Sequence, residues 1–268
     1  MKLKSPYRIE PGTKVRLTHL TTDEDGGFQS KEEAAPVLLK HRERLAAIQE
    51  LFWASRQKAL LIVLQGMDTA GKDGTISHIF SGVNPQGCNV ASFKVPTPVE
   101  AEHDFLWRVH AAVPARGMIQ IFNRSHYEDV LAPRVHKLIP EKVVRRRIDD
   151  INRFERTLAD NDVVILKFFL NISRQEQTRR LEARIDTPDK HWKLSPADFK
   201  ERAFWNQYIK AYNDVLSETS TKHAPWFAIP SDVKWYRNIA ISEIIVQAMK
   251  GLKLTYPAPV MDVSKIKL

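Results

Sequence analysis

The stretch Gly66-Met67-Asp68-Thr69-Ala70-Gly71-Lys72-Asp73-Gly74-Thr75 constrains this chain more than any other. Gly66, Gly71 and Lys72 satisfy the spacing G-x-x-x-x-G-K, which folds as a tight loop between a strand and a helix. In such a loop the backbone N–H groups from Gly66 through Thr75 wrap phosphate oxygens at a helix N-terminus, and the lysine adds a point charge. The flanks agree. Leu60 to Gln65 is a short run of branched apolar residues, as in a buried parallel strand, and a helical pattern begins near Lys72. A glycine turn that only joins strand to helix carries the same letters; the flanks and the charge of the chain favour phosphate. The pattern normally continues with Ser or Thr, whose hydroxyl ligates Mg²⁺, but here Asp73 follows. The metal must then find carboxylates or water elsewhere, or Thr75 must substitute. Asp68 is the obvious carboxylate, against the alternatives of a turn residue or helix cap; Asp73 also suits a helix first turn.

Similar apolar runs recur at Asn89 to Phe93, Met118 to Asn123, Val163 to Ile172 and Trp226 to Ile229. Helical patterns separate them at 98–112, 140–160, 174–186 and 197–217. Five strands alternating with helices predict an α/β fold with a five-stranded parallel sheet covered on both faces. Residues 1–31, polar and punctuated by Pro6, Pro11, Gly12, Gly26 and Gly27, read as an extended N-terminal arm. A long amphipathic helix follows from a capping box at Ser30-Lys31-Glu32-Glu33 to about Arg56. Pro36 lies inside it, so the helix either begins nearer Ala35 or is kinked. No repeat, low-complexity stretch or long linker divides 32–268, which reads as one domain.

Lys and Arg number 41 against 32 Asp and Glu, a net charge of +9, so an anionic partner is expected. Nucleic acid, anionic lipid and phosphorylated substrates all fit that balance, and motifs must choose. The longest purely apolar run, Ala59 to Leu64, is far short of a membrane span, and no secretory h-region is visible. With one cysteine, Cys88, an internal disulfide is excluded and a cytoplasmic location is the default expectation. Cys88 reads as buried and inert, and the histidines show no zinc spacing.

The third strand runs into Phe122-Asn123-Arg124-Ser125-His126-Tyr127-Glu128-Asp129, a polar cluster at the carboxyl end of a parallel strand, where open α/β sheets bind ligands. Arg124 can grip phosphate with its planar fork, and Glu128 and Asp129 can hold Mg²⁺ or orient an acceptor. A local ion pair is the bland alternative for Arg124 and Asp129, but a second phosphate-facing loop is what the first one needs, which favours a functional role. His126 and Tyr127 read as packed or capping residues. A second positive segment contains Arg174, Arg179, Arg180, Arg184, Lys190 and Lys193, with a break at Pro188. A solvated helix face is the ordinary explanation; beside a phosphate loop a mobile basic lid at about 174–196 is the stronger one. Arg145, Arg146 and Arg147 stay divided between a solvated face and a polyanion track. Trp107, Trp192, Trp205, Trp226 and Trp235 read as packing residues, with Trp192 the exception to watch.

Three segments together resemble the type-2 polyphosphate kinase family: residues 66–75, residues 122–129, and Lys190-His191-Trp192-Lys193-Leu194-Ser195-Pro196. Ala224-Pro225-Trp226 and Trp235-Tyr236-Arg237-Asn238 also fit its layout, so the likeness spans nearly the whole chain. The resemblance implies a P-loop kinase fold, a three-layer α/β/α sandwich with a helical lid. It implies Mg²⁺ dependence and phosphoryl exchange between inorganic polyphosphate and nucleotides. Asp73 is then a normal family variant. The family's catalytic positions fall on Asp68, Lys72, Arg124, Asp129 and Arg184, with Asp68 and Asp129 toward the metal. Its phosphate-binding positions fall on Gly66, Met67, Thr69, Ala70, Gly71, Asp73, Gly74, Thr75, Arg179, Arg180, Lys190 and Lys193, and its nucleotide side on Asn123 and Glu128. The Ser-His-Tyr-Glu-Asp form of the second loop is similar to the class that phosphorylates both AMP and ADP.

The chemistry is consistent with that likeness. Phosphoryl transfer needs in-line positioning and cations on the bridging and terminal oxygens, which lysine, arginines and Mg²⁺-holding carboxylates provide. Two rivals remain at this level: an ATP-dependent nucleoside or nucleotide kinase, and a non-catalytic polyanion binder. Asp68 and Asp129 argue against the binder, since acids weaken polyanion binding unless a metal intervenes. No specific nucleic acid or membrane partner is expected, and a homo-oligomer is left open.

Overall fold

The computed structural model describes residues 3–266, without the side chain of Asp198; residues 1–2 and 267–268, at the ends of the expected arm and domain, lie outside it. In chain order the elements are α1 (Lys31–Ser55), β1 (Ala59–Gly66), α2 (Lys72–Ile79), β2 (Cys88–Ser92), α3 (Pro98–Ala101), α4 (Trp107–Ala111), β3 (Ile119–Asn123) and α5 (Glu128–Val135). There follow α6 (Glu141–Asp160), β4 (Val163–Asn171), α7 (Arg174–Ile185), α8 (Pro196–Arg202), α9 (Trp205–Thr219), β5 (Trp226–Pro230) and α10 (Lys234–Lys250).

The five strands form one parallel sheet in the order β2-β3-β1-β4-β5. β1 is central and buried along its whole length, as its unbroken apolar sequence requires. Helices α1 and α2 both pack on α10, α5, α6 and α9 pack on one another, and the two groups form the outer layers. Leu64 pairs with Asn123 and Gly66 with Leu170, so the register brings the glycine loop and the second loop to the same sheet end. The order leaves β1 between β3 and β4, which places the reversal of strand order beside the glycine loop.

Ser30 caps α1 by accepting from the Glu33 N–H, so the helix starts at Lys31 with Pro36 inside it and not at Ala35. The expected helix over 98–112 is two short helices. Thr97 and Glu100 make a capping box for the first, and Asp104 accepts from the Leu106 N–H in the turn between them. The expected helix over 197–217 likewise divides at Ala203-Phe204 into α8 and α9. Two helices, α5 and α10, were not anticipated. α10 is buried over most of its circumference and so shows no polar face to give a period.

The N-terminal residues run extended along the sheet. Tyr7 and Ile9 exchange backbone hydrogen bonds with Ala228 and Trp226, and Arg8 bridges antiparallel to Phe227, which covers the edge of β5. Trp205 and Trp226 pack in the core as expected, whereas Trp107 is 44% exposed on the one-turn α4 and Trp192 is 78% exposed. Cys88 is half-buried, and burial pushes its thiol up to about 11, away from reactivity.

Candidate active site

The glycine loop turns from β1 into α2 through three residues with positive φ, Gly66 at 154°, Thr69 at 65° and Gly71 at 104°. Glycine is required at 71, where an added Cβ would lie 2.0 Å from Arg237 Nη1. At Gly66 the backbone passes so close to β4 that a Cβ would meet Leu170 O at 2.9 Å. The N–H groups of Lys72, Asp73 and Gly74 open α2 and have no partner within it, an arrangement able to hold an anion. The Thr69 hydroxyl is buried with no hydrogen-bond partner among the described residues. Met67 closes the turn by accepting from Ala70 N–H.

Lys72 lies inside the loop, its Nζ donating to Gly66 O at 2.9 Å and Met67 O at 3.3 Å. Burial, then the charge of Arg124, pull its ammonium down to about 8; Asp68, Glu128 and Asp73 offset this only in part. Thr75 is fully buried. Its hydroxyl and its backbone N–H both donate to Gly71 O, so neither faces the loop mouth. Asp73, two residues earlier, accepts from the Asn123 amide at 2.6 Å and so ties the two loops together.

The second loop leaves β3 at Arg124, whose φ of 64° is a conformation a non-glycine residue holds at a cost of about 1 to 2 kcal/mol. Arg124 donates to Asp68 at 2.7 Å and lies 3.6 Å from Glu128. Burial opposes its charge, but Glu128 and Asp68 more than offset that and raise it above its ordinary value. Glu128 is pushed up, chiefly by burial, with Arg124 and Lys72 working against the shift. Asp129 pairs with Arg108 at 2.9 Å, and Arg147 donates to the Asp129 carbonyl. His126 and Tyr127 are completely buried against Glu155, as packed residues.

Around these loops lie two compartments joined by a trough. The first, a cavity of about 600 Å³, is bounded by Thr69, Gly71, α1, α7 and α10. Among the described residues every charged side chain on its wall is a cation, including Lys31, Arg179, Arg184, Lys190, Lys193 and Lys234. The second, about 480 Å³, has mixed walls: Asp68, Glu128 and Asp129 face Arg108 and Arg124, with Tyr208 and Tyr212 alongside. The trough between them is lined by Lys72, Asp73 and Asn123, together with Arg184 from the first compartment and Arg124 from the second. Trp192 and Lys193 overhang it, the ammonium 4.9 Å from the ring.

Arg180 stands apart from the other basic residues of α7. Its five N–H groups meet five acceptors: Glu176, Thr69 O, Ala70 O, Ser231 O and Asp232 O. It braces the glycine loop from behind. Arg179 is exposed and paired with Glu176, and Arg184 reaches both the first compartment and the trough. On α6, Arg145 is engaged by Glu141, Asp214 and Glu218, and Arg147 by Asp129 O, while Arg146 alone of the three is a solvated face.

Sequence reasoning missed Arg108, Lys31, Lys234 and Arg237. Arg108 sits on a one-turn helix with no motif around it. Arg237 lies in the Trp-Tyr-Arg-Asn segment that the family likeness had already singled out.

Among the described residues no three acids or histidines cluster as a metal cage. Mg²⁺ does not need one, because it keeps several waters and takes one or two carboxylates plus substrate phosphates. Asp68 and Asp129 each give one oxygen to an arginine and leave the other without a hydrogen bond among the described residues, a donor set that fits this ion. No helix among the described residues is long and apolar enough to cross a membrane.

Residues 28–256 match the family model described as Polyphosphate kinase 2. The chain is 47% identical to an AMP/ADP-polyphosphate phosphotransferase of Meiothermus ruber, over 97% of this chain and 98% of the relative. An ADP-polyphosphate phosphotransferase of Rhodopseudomonas palustris is 43% identical, over 96% and 93%. The crystal structure of polyphosphate kinase 2 from Arthrobacter aurescens superposes with a TM-score of 0.92 at 41% identity, covering 98% of this chain and 95% of that one. The fold, the glycine loop and these likenesses agree: the chain belongs to the polyphosphate kinase 2 family.

Proposed function

We propose that this protein transfers phosphoryl groups from inorganic polyphosphate to AMP and ADP, with Mg²⁺ as the metal. The observation that carries the reading is the charge asymmetry across the trough. A wall bearing only cations suits a long polyanion, whose charges must each be met. A mixed wall with tyrosines suits a nucleotide, which presents phosphates at one end and an aromatic base at the other. Lys72 and Arg124 stand in the connecting trough, where the terminal phosphate of one substrate meets the acceptor oxygen of the other.

The chain's own residues then divide the work. The loop N–H groups and Lys72 hold the phosphoryl group in transfer, and Arg124 faces its developing charge from the opposite loop. Arg184, Lys190 and Lys193 close over the donor as the lid at about 174–196, excluding water that would hydrolyse it. Asp68 fixes Arg124 and aligns the acceptor; no strong general base is needed because the acceptor is already an anionic phosphate. Mg²⁺ held by Asp68 and Asp129 would neutralise charge on the bridging and terminal oxygens. Glu128, in the acceptor compartment, sets the choice between mono- and diphosphate.

The deciding experiment offers AMP, ADP and GMP to the purified protein with polyphosphate as sole donor and follows products over a Mg²⁺ titration. ADP and ATP formed from AMP support the reading. Turnover only when ATP is the donor refutes it in favour of an ATP-dependent kinase, and salt-sensitive binding without turnover refutes it in favour of a polyanion binder.

A further inference from the structure

Arg237 lies in the first turn of α10 with 2% of its surface exposed. Its Nη1 donates to Ala70 O at 3.0 Å, and its Nε and Nη2 both donate to Asn238 Oδ1, at 3.1 and 2.9 Å. Three bonds for five N–H groups leave two donors without a partner among the described residues. No carboxylate lies within ion-pair distance of this guanidinium among them either. The neighbouring charge is another cation, Arg180, which donates to the same Ala70 carbonyl at 2.9 Å. Burial, and then Arg180, pull the Arg237 guanidinium down to about 9.

Two guanidiniums on one loop carbonyl, of which only one has a carboxylate, is an expensive arrangement for a free protein. Structural buried arginines carry their own counter-ion, as Arg108 does with Asp129 and Arg180 with Glu176. Arg237 does not, and it lines the wall of the all-cation compartment. The loop is shaped to it as well, since only a glycine at 71 leaves room for Nη1.

We propose that Arg237 is a positioning residue of the glycine loop whose counter-ion is the phosphate chain itself. It fixes the Ala70–Gly71 peptide so that the loop N–H groups face the donor, and the bound chain neutralises a charge that the free enzyme leaves uncompensated. This rests on the proposed function in taking polyphosphate as the anion, and it adds an energetic coupling: the donor stabilises the fold through Arg237.

The test compares the wild-type protein with Arg237→Gln and Arg237→Lys, each as the full chain. Thermal midpoints are measured with and without long-chain inorganic polyphosphate, alongside the KM and kcat for both substrates. The expected result for Arg237→Gln is a ligand-free midpoint close to wild type, a much smaller rise on adding polyphosphate, and a KM for polyphosphate raised about tenfold or more. The KM for AMP should stay near wild type, and Arg237→Lys should recover most of the polyphosphate-induced rise. Equal midpoint losses with and without polyphosphate, at unchanged KM, would make Arg237 a purely structural residue and overturn the proposal. If Arg237→Gln does not fold, Arg237→Lys decides alone: the charge model keeps its polyphosphate-induced rise, and loss of that rise overturns it. Wild-type turnover with polyphosphate tests the function separately, so a failure there is distinct from a failure of the Arg237 variants.

Discussion

Lys72 offers a measurement in which geometry sets both sign and size. In the free enzyme its ammonium, 8% exposed, rests on two loop carbonyls and is held at about 8, against an ordinary 10.5. A phosphate chain in the loop supplies the missing negative charge and returns the lysine toward its ordinary value, a differential interaction of about 3 kcal/mol at about 1.4 kcal/mol per pKa unit. The protonated form is the one that binds. Below pH 7 the lysine is already charged and contributes no pH dependence; as pH rises through the free-enzyme value, binding must take up a proton and affinity falls. Uptake per chain bound should be about 0.1 at pH 7, about 0.5 at pH 8 and about 0.9 at pH 9. Calorimetric titration of polyphosphate in buffers of different ionisation heat reads this number directly, and Lys72→Arg, which does not titrate there, is the control. The same depressed value means that Lys72 favours the unfolded, protonated chain near neutrality, so its contribution to ligand-free stability improves between about pH 8 and 10.5. Proton uptake that is flat from pH 7 to 9, or identical in Lys72→Arg, would refute the argument.

Gly71→Ala places a Cβ 2.0 Å from Arg237 Nη1 at a φ of 104°, so it should cost at least about 1 to 2 kcal/mol in denaturant unfolding and most of the turnover; unchanged stability and rate would contradict the loop geometry. Glu128→Asn should depress AMP phosphorylation more than ADP phosphorylation, because Glu128 lines the acceptor compartment; equal losses in a side-by-side acceptor assay would count against it. Arg180→Ala and Arg184→Ala should separate brace from lid. The first removes five hydrogen bonds, two of them to the loop carbonyls of Thr69 and Ala70, and should lose about 3 to 5 kcal/mol of stability by chemical denaturation. The second should fold normally and lower kcat about 30-fold to 1000-fold, and a stability loss in Arg184→Ala with normal kcat would reverse the assignment.

The centre of the sheet was readable because β1 and β4 are buried on both faces and stand out as nearly unbroken apolar runs, whereas the edge strand β2 is mostly exposed. The two loops were readable because phosphate chemistry needs particular letters at particular spacing. What stayed hidden has physical causes. α10 is buried nearly all round and therefore lacks the polar stripe that betrays a helix. α5 carries Pro133 within eight residues, which propensity alone would break. Charge clustering identified the basic segment at 174–193 but could not separate Arg180, whose five donors are spent on the protein, from Arg184 four residues later. Adjacency in sequence says which cations share a helix, and only the structure says that Arg184 lines the first compartment and the trough while Arg180 braces the loop.

The same dependence on placement explains why the second loop contains residues turned into the core. Between Arg124 and Asp129 the chain must turn so that its first and last side chains face the second compartment while its middle faces the core. Tyr127 Oη donates to Glu155 Oε1 at 2.8 Å, and Lys167 Nζ reaches Glu155 Oε2 at 2.6 Å, Tyr127 Oη at 2.9 Å and Thr219 O at 2.7 Å. Lys167 and Glu155 are wholly buried, and such a pair adds little net stability because both charges must leave water. Its value lies in direction. An apolar contact would hold Tyr127 in the core but leave its rotation free, whereas a hydrogen-bonded pair from β4 and α6 fixes the ring and, through it, the backbone of the loop. The strained αL backbone of Arg124 is then held from both sides, by Leu64 O on β1 and by this buried network.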